Sequence, residues 1–386
     1  MRRMAIVAGG LDVLRGVPRS HWTVMALVSL LCGIGIATLY SVEGGSFRPW
    51  AERHGLRFLA GLAGIMVMLA VPATAWLRVA APAYLASLGL LMLVPVVGTE
   101  VLGARRWLDF GFGSFQPGEL MKVALVMMLA AYYQWLPKER VGDAVWVAVP
   151  VLLIVIPAAF TVRQPDLGSA MLYAITGLGI MFMAGVPLVY FAASAVLAAA
   201  ASPLIWSMLH GYQQRRIEIF LDPGSDPLGA GYHIQQSKIA FGAGGLSGTG
   251  YMKGTQSQLD FLPEKHTDFI FTMFAEEWGF AGAVVLLALQ AALVLVLWRM
   301  MMSAETRFAR LLIAGAALTI FLYAVVNAAM VTGLVPVVGV PMPFVSYGGT
   351  SMMSLMAALG LALSAAADRG SLGADGDRRR GLRPAF

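Results

Sequence analysis

Apolar residues in this chain come in long, nearly unbroken runs rather than in the half-apolar stripes of a water-facing helix or strand. Runs of the length needed to cross about 30 Å of hydrocarbon as a helix fall near 21–42, 57–76, 79–98, 117–136, 144–162, 167–184, 187–209, 268–298, 307–333 and 342–367. Short polar breaks separate most of them, and a single connection, 210–267, is long. The pattern predicts an all-α integral membrane protein, a bundle of ten transmembrane helices with one long extracytoplasmic loop between the seventh and eighth. The expected layout is a cytoplasmic N-terminal segment over 1–20, a membrane domain over 21–367 that includes the 210–267 loop, and a cytoplasmic tail over 368–386.

Composition removes the soluble alternatives. The chain is 59% hydrophobic and 12% charged, with a mean hydropathy of +0.75, too apolar for a water-exposed surface. The formal charge of +6 does not indicate nucleic acid, because the basic residues stand in short clusters between apolar runs, where they act as topogenic signals. Arg2, Arg3, Arg15, Arg19, Arg78, Lys138, Arg140, Arg299, Arg307, Arg310 and the Arg378–Arg380 run fall on one side of a ten-span layout, which puts both termini in the cytoplasm. Most carboxylates then lie at the opposite, outer face. The single cysteine, Cys32, excludes a disulfide framework and a cysteine metal site.

Polar residues at helix ends carry the candidate chemistry. Asp268 stands where an apolar run begins, and a carboxylate at membrane depth is costly unless it serves a site or meets a cation. It reads equally well as a helix N-cap and as a catalytic group. Glu119 and Lys122, after Pro117, are spaced to form an i,i+3 ion pair on one helix face. Arg105 and Arg106 lie in the adjoining loop, and guanidinium suits phosphate or pyrophosphate. Turns at 163–169 and 341–351 break helices at membrane level, which implies a polar cavity. His266 reads as a base, a metal ligand or, more simply, a hydrogen-bonding loop residue, and no metal constellation appears. The glycine-rich stretch 242–250 lacks the lysine of a phosphate-cradling loop and reads as irregular loop on the membrane surface.

These stretches together resemble the SEDS family (shape, elongation, division and sporulation). The likeness rests on Gly-Ala-Arg-Arg-Trp-Leu-Asp from Gly103, Gln-Pro-Gly-Glu-Leu-Met-Lys from Gln116, Gln-Pro-Asp-Leu-Gly from Gln164, Asp-Pro-Leu-Gly-Ala-Gly-Tyr-His from Asp226, the 255–271 segment around Asp268, and Val-Ser-Tyr-Gly-Gly from Val345. The wording of the 255–265 stretch favours the elongation, RodA-like branch over the FtsW-like division branch. Gly118 stands where the family commonly has serine. The resemblance implies a peptidoglycan glycosyltransferase of the inner, cytoplasmic membrane that polymerises lipid II at its outer face. It also implies partnership with a class B penicillin-binding protein and other elongation-complex membrane proteins. Asp268 is then the expected catalytic base, and Arg106, Glu119, Lys122, Gln164, Asp166, Arg216, Lys238 and His266 the expected substrate-binding residues. No metal or cofactor is assigned, and a divalent cation stays open. A lipid II flippase and a non-catalytic scaffold are the rival readings.

Overall fold

The computed structural model describes residues 18–367 except 102–103, 110, 112–113, 209–210, 223–229, 260–261 and 263. The expected N-terminal segment up to residue 17, the tail over 368–386 and most of the stretch from Asp226 to Ala230 lie outside the described residues. The main helices are α1 Arg19–Val42, α2 Trp50–Leu69, α3 Ala73–Val97, α4 Pro117–Trp135, α5 Ala144–Arg163 and α6 Leu167–Ala184. They continue as α7 Leu188–Ala200, α8 Ser202–Met208, α9 Gly211–Leu221, α10 Ala230–Gly244, α11 Thr255–Gln258, α12 Ile270–Met302, α13 Arg307–Val331 and α14 Gly349–Ala367. Seven of these, α1, α3, α5, α6, α12, α13 and α14, are long and apolar enough to cross a membrane. The chain is therefore a multi-pass membrane protein, as its apolar runs predict. Three further predicted spans overlap α2, which begins seven residues earlier than the predicted 57–76, and α4, both of which carry charged residues, and α7, whose 13 residues are apolar but short.

Helices α4, α13 and α14 form the buried centre. Gly315 of α13 lets Val126 of α4 and Ile180 of α6 approach so closely that an added Cβ would stand 2.3 Å from the first and 3.1 Å from the second. Small residues at such crossings gain dispersion contacts that lipid tails cannot supply. Helix α7 has no buried residue and lies at the periphery.

Two regions depart from the sequence reading. The connection before α4 contains a three-stranded antiparallel sheet, β1 Thr99–Val101, β2 Ala104–Asp109 and β3 Ser114–Phe115. Strands this short leave little alternation to read. The long connection, expected to be irregular, holds α9, α10 and α11 instead. Along α10 the buried positions are Gly231, Ile234, Ser237, Ala240 and Gly244, a helical face of small residues hidden in the glycine-rich wording. That face docks on α12 and α13, where Ser237 Oγ meets Thr272 Oγ1 at 2.7 Å and donates to Val331 O at 2.7 Å.

Helix α12 is broken at Gly279, whose φ of 68° and ψ of −168° interrupt its ladder. The 244–250 segment fills the gap. Thr249 N and Gly250 N donate to the carbonyls of Glu276 and Glu277 at 3.0 and 3.1 Å, while Phe280 N and Ala281 N donate to those of Gly245 and Leu246 at 2.8 and 3.1 Å. Buried Glu276 adds a second clamp by accepting from Thr255 N at 2.8 Å and Gln256 N at 3.0 Å. Glycine is required at this seam: a Cβ at Gly248, which has φ +84°, would stand 2.0 Å from Glu277 O. Gly248→Val is expected to destabilise the folded chain by about 2 kcal/mol or more, through strain at positive φ and loss of the seam. A melting curve in detergent checks this, and an unchanged midpoint would count against the seam as a structural element.

Candidate active site

Where α4, α6, α12 and α14 begin, the chain gathers its unusual polar residues. Asp268 lies in the turn just ahead of α12. The N-cap is Phe269 and no side-chain hydrogen bond closes that helix end, so Asp268 is not the cap that its position in the sequence allowed. The turn is pinned from α13, where Asn327 Nδ2 donates to Asp268 O at 2.9 Å and to Val340 O at 2.7 Å. In front of the carboxylate stands Gly339, where an added Cβ would lie 3.3 Å from Oδ2. Glycine there keeps the face of the carboxylate clear.

Asp268 is half-buried. Its pKa is raised from 3.8 to about 7: burial is the main cause and the charges of Glu264 and Asp166 act the same way, while Arg216 and Arg106 oppose them. A carboxyl poised near neutrality within electrostatic reach of two guanidinium groups is suited to accept a proton from a hydroxyl.

Arg106 reaches this site from β2. Its Nε donates to Gln164 O at 3.3 Å and its Nη2 donates to Pro165 O. Those carbonyls belong to the turn between α5 and α6, itself fixed by two side chains. Gln164 Nε2 donates to Leu91 O at 2.7 Å, and Asp166 caps α6 by accepting from Ser169 N at 3.1 Å while also accepting from Gln116 Nε2 at 3.2 Å. The structure therefore joins Arg106, Gln164 and Asp166 in one assembly and brings Arg106, Asp166 and Arg216 of α9 within electrostatic reach of Asp268.

The other candidates make contacts of their own. Lys122 Nζ donates to Glu119 Oε1 at 2.7 Å inside the bundle, and both side chains are buried. The pair is enclosed by groups that the sequence reading did not single out: Tyr323 Oη donates to Glu119 Oε2 at 2.8 Å, Ser354 Oγ donates to the same oxygen at 2.9 Å, and Lys122 also donates to Tyr323. His266 stacks on Trp50 with ring centroids 4.5 Å apart and shares a hydrogen bond with Glu43. Lys238 is exposed on α10 and lies against the Gly333 turn. Thr272 and Glu276, which a helix running through Asp268 would have aligned with it, bind Ser237 and the 255–256 amides instead. Among the described residues, no group of three or more His, Cys, Asp or Glu side chains is placed to hold a metal ion.

The profile of the FtsW/RodA/SpoVE cell cycle proteins matches residues 19–370. The chain belongs to that family, the SEDS proteins. Among SEDS relatives, the Escherichia coli K12 protein named peptidoglycan glycosyltransferase MrdB is 40% identical over 346 residues, 89% of this chain and 92% of the relative. A probable peptidoglycan glycosyltransferase FtsW from Trichlorobacter lovleyi is 36% identical over 356 residues, again 89% of this chain and 92% of the relative. Two solved SEDS-like structures also resemble it. One, described for the structural coordination of polymerization and crosslinking by a peptidoglycan synthase complex, is 31% identical with a TM-score of 0.79 and covers 91% of this chain and 98% of its own. The other, the rod shape determining protein RodA of Thermus thermophilus, is 29% identical with a TM-score of 0.68, covering 90% and 97%. Together these place the chain on the elongation, RodA-like side of the SEDS family.

Proposed function

We infer that this chain is a peptidoglycan glycosyltransferase that polymerises lipid II into glycan strands for cell elongation and rod shape. The observation that carries the mechanism is the half-buried Asp268 carboxyl, raised to about 7 and within electrostatic reach of Arg106 and Arg216. In its ionised form it takes the proton from the acceptor sugar hydroxyl as that oxygen attacks the anomeric carbon of the donor. The bond from that carbon to the pyrophosphate breaks, the electron pair leaves with the pyrophosphate, and the developing charge meets the guanidinium groups of Arg106 and Arg216. Attack opposite the leaving group converts an α-linked donor into a β-linked glycan. Gln164 and Asp166 hold Arg106 through the turn they fix. Glu119 and Lys122 act from inside the bundle by setting how α4 sits against α13 and α14.

In this reading α2, α4 and α7 with α8 supply three more crossings, for ten in all. Both termini are cytoplasmic, the chain sits in the cytoplasmic membrane, and the Asp268 end faces outward. A site outside the cell meets little nucleotide, so its substrate must arrive already activated, as a lipid-linked diphosphate does. The partner is a class B penicillin-binding protein, with other membrane proteins of the elongation complex; the relative solved as part of a peptidoglycan synthase complex supports this.

The test is polymerisation by the purified protein in vesicles, alone and with its penicillin-binding protein, with and without chelator, following glycan length and lipid sidedness together. Glycan strands made on the outer side are the expected result. Movement of lipid II across the bilayer with no polymer would replace this reading by a flippase.

A further inference from the structure

Helices α2 and α14 meet at the end of the bundle where both begin, and Arg57 sits at that seam. Its Cζ lies 4.6 Å from the centroid of the Tyr347 ring. On its other side is Gly349, the first residue of α14, where an added Cβ would stand 3.2 Å from Cζ. Arg57 Nη1 is buried and hydrogen-bonds nothing. Among the described residues, no carboxylate lies within ion-pair distance of this guanidinium. Two positive features thus stand side by side, the guanidinium and the amide end of a 19-residue helix. A buried guanidinium nitrogen with no acceptor from the protein, set against an aromatic ring and a helix's amide end, is a donor set that suits an anion.

Three surroundings narrow the ligand. Arg57 lies about 10 Å along α2 from Trp50, at ~1.5 Å per residue. Beside it Leu56 and Leu59 are 59% and 61% exposed, so the site opens on an apolar flank that lipid can cover. It is also tied to the reacting centre: Tyr347 packs edge-on against Trp50 at 4.6 Å, Trp50 stacks on His266, and Tyr347 N donates to His266 O at 2.9 Å, two residues from Asp268. Polymerisation of lipid-linked sugars joins two molecules, each carried on a diphosphate, whereas Arg106 and Arg216 face one leaving diphosphate.

We propose that Arg57, with the first turn of α14, binds the diphosphate of the second lipid-linked substrate. This rests on the polymerase reading above and adds to it a second anion site, beside the Trp50–His266–Tyr347 stack.

The test uses the full chain in nanodiscs with Asp268→Asn to prevent turnover, and undecaprenyl diphosphate as probe. Two molecules bound per chain are expected, falling to one when Arg57→Gln is added, with an unchanged melting temperature. In the otherwise native chain, Arg57→Gln is expected to raise KM about tenfold with kcat within about twofold, and Arg57→Lys to recover part of the loss. Two molecules still bound after Arg57→Gln, or one bound before it, overturns the proposal, as does a loss of kcat at unchanged KM. Inorganic pyrophosphate binding as tightly as the lipid-linked probe overturns the lipid assignment. Activity surviving in Asp268→Asn would instead remove the polymerase mechanism, and the binding count would still report on Arg57.

Discussion

Asparagine at position 268 is expected to leave the chain folded and inserted while polymerisation of lipid II falls by about 10²-fold to 10⁴-fold, the usual worth of a positioned general base. An amide of the same shape keeps the turn, and Asn327 bonds to the backbone of residue 268 rather than to its side chain. The same carboxyl sets the pH profile. It is a base only when ionised, and burial has raised it from 3.8 to about 7, so kcat/KM should climb with pH and reach half its plateau near 7. Stability runs the other way. A carboxyl raised on folding contributes stability that is fully present below its unfolded value and is lost as pH rises through its folded value. Asp268→Asn should therefore melt higher than the native chain at pH 8, and the gap should close as pH falls from about 7 towards about 4, the unfolded value. Equal melting temperatures at both pH values would show that the carboxyl is not held in the environment described.

The second large effect concerns Glu119 and Lys122. Removing one member of a buried ion pair strands the other in a low-dielectric interior, at a cost of about 3–5 kcal/mol. Lys122→Met should show that loss in a denaturation curve and cut activity with it. Glu119 would keep Tyr323 and Ser354 as donors at 2.8 and 2.9 Å, but two neutral hydroxyls do not replace an ammonium. Adding Glu119→Gln should then restore part of the stability, because no uncompensated charge remains. Recovery of activity in that double variant would make the pair a structural support. Activity still absent at restored stability would give Lys122 a direct part in catalysis. A double variant less stable than Lys122→Met would mean that a stranded Glu119 charge is not what the single substitution costs.

How far these features can be read from the chain depends on whether their partners are close in sequence. Long apolar runs locate the spans because a bilayer imposes one length on every crossing helix. The Glu119–Lys122 pair is visible for a similar reason, since both members share one helix face. Tyr323 and Ser354, which complete it, come from helices far along the chain, and no local spacing announces them. Arg106 stands out as a cation, yet its anchorage on the carbonyls of Gln164 and Pro165 depends on a short sheet that carries no pattern. In the long connection, glycines signal loop by their intrinsic preference. That reading holds across 245–250, whereas Gly231 and Gly244 lie on the buried face of α10, where tertiary contact overrides the preference. Asp268 is legible as important while its role stays divided, because the start of α12 decides between cap and base, and that start falls one residue beyond Phe269.

The break at Gly279 ties two parts of the chain that would otherwise report independently on solvent. The amides of Phe280 and Ala281 are protected by carbonyls of the 245–246 segment and not by their own helix. In deuterium-exchange measurements these two positions therefore time the detachment of that segment, while amides deeper in α12 time the melting of the helix itself. Labelling at residues 280–281 that outpaces their neighbours would be the kinetic trace of the segment lifting away with the rest of the helix intact.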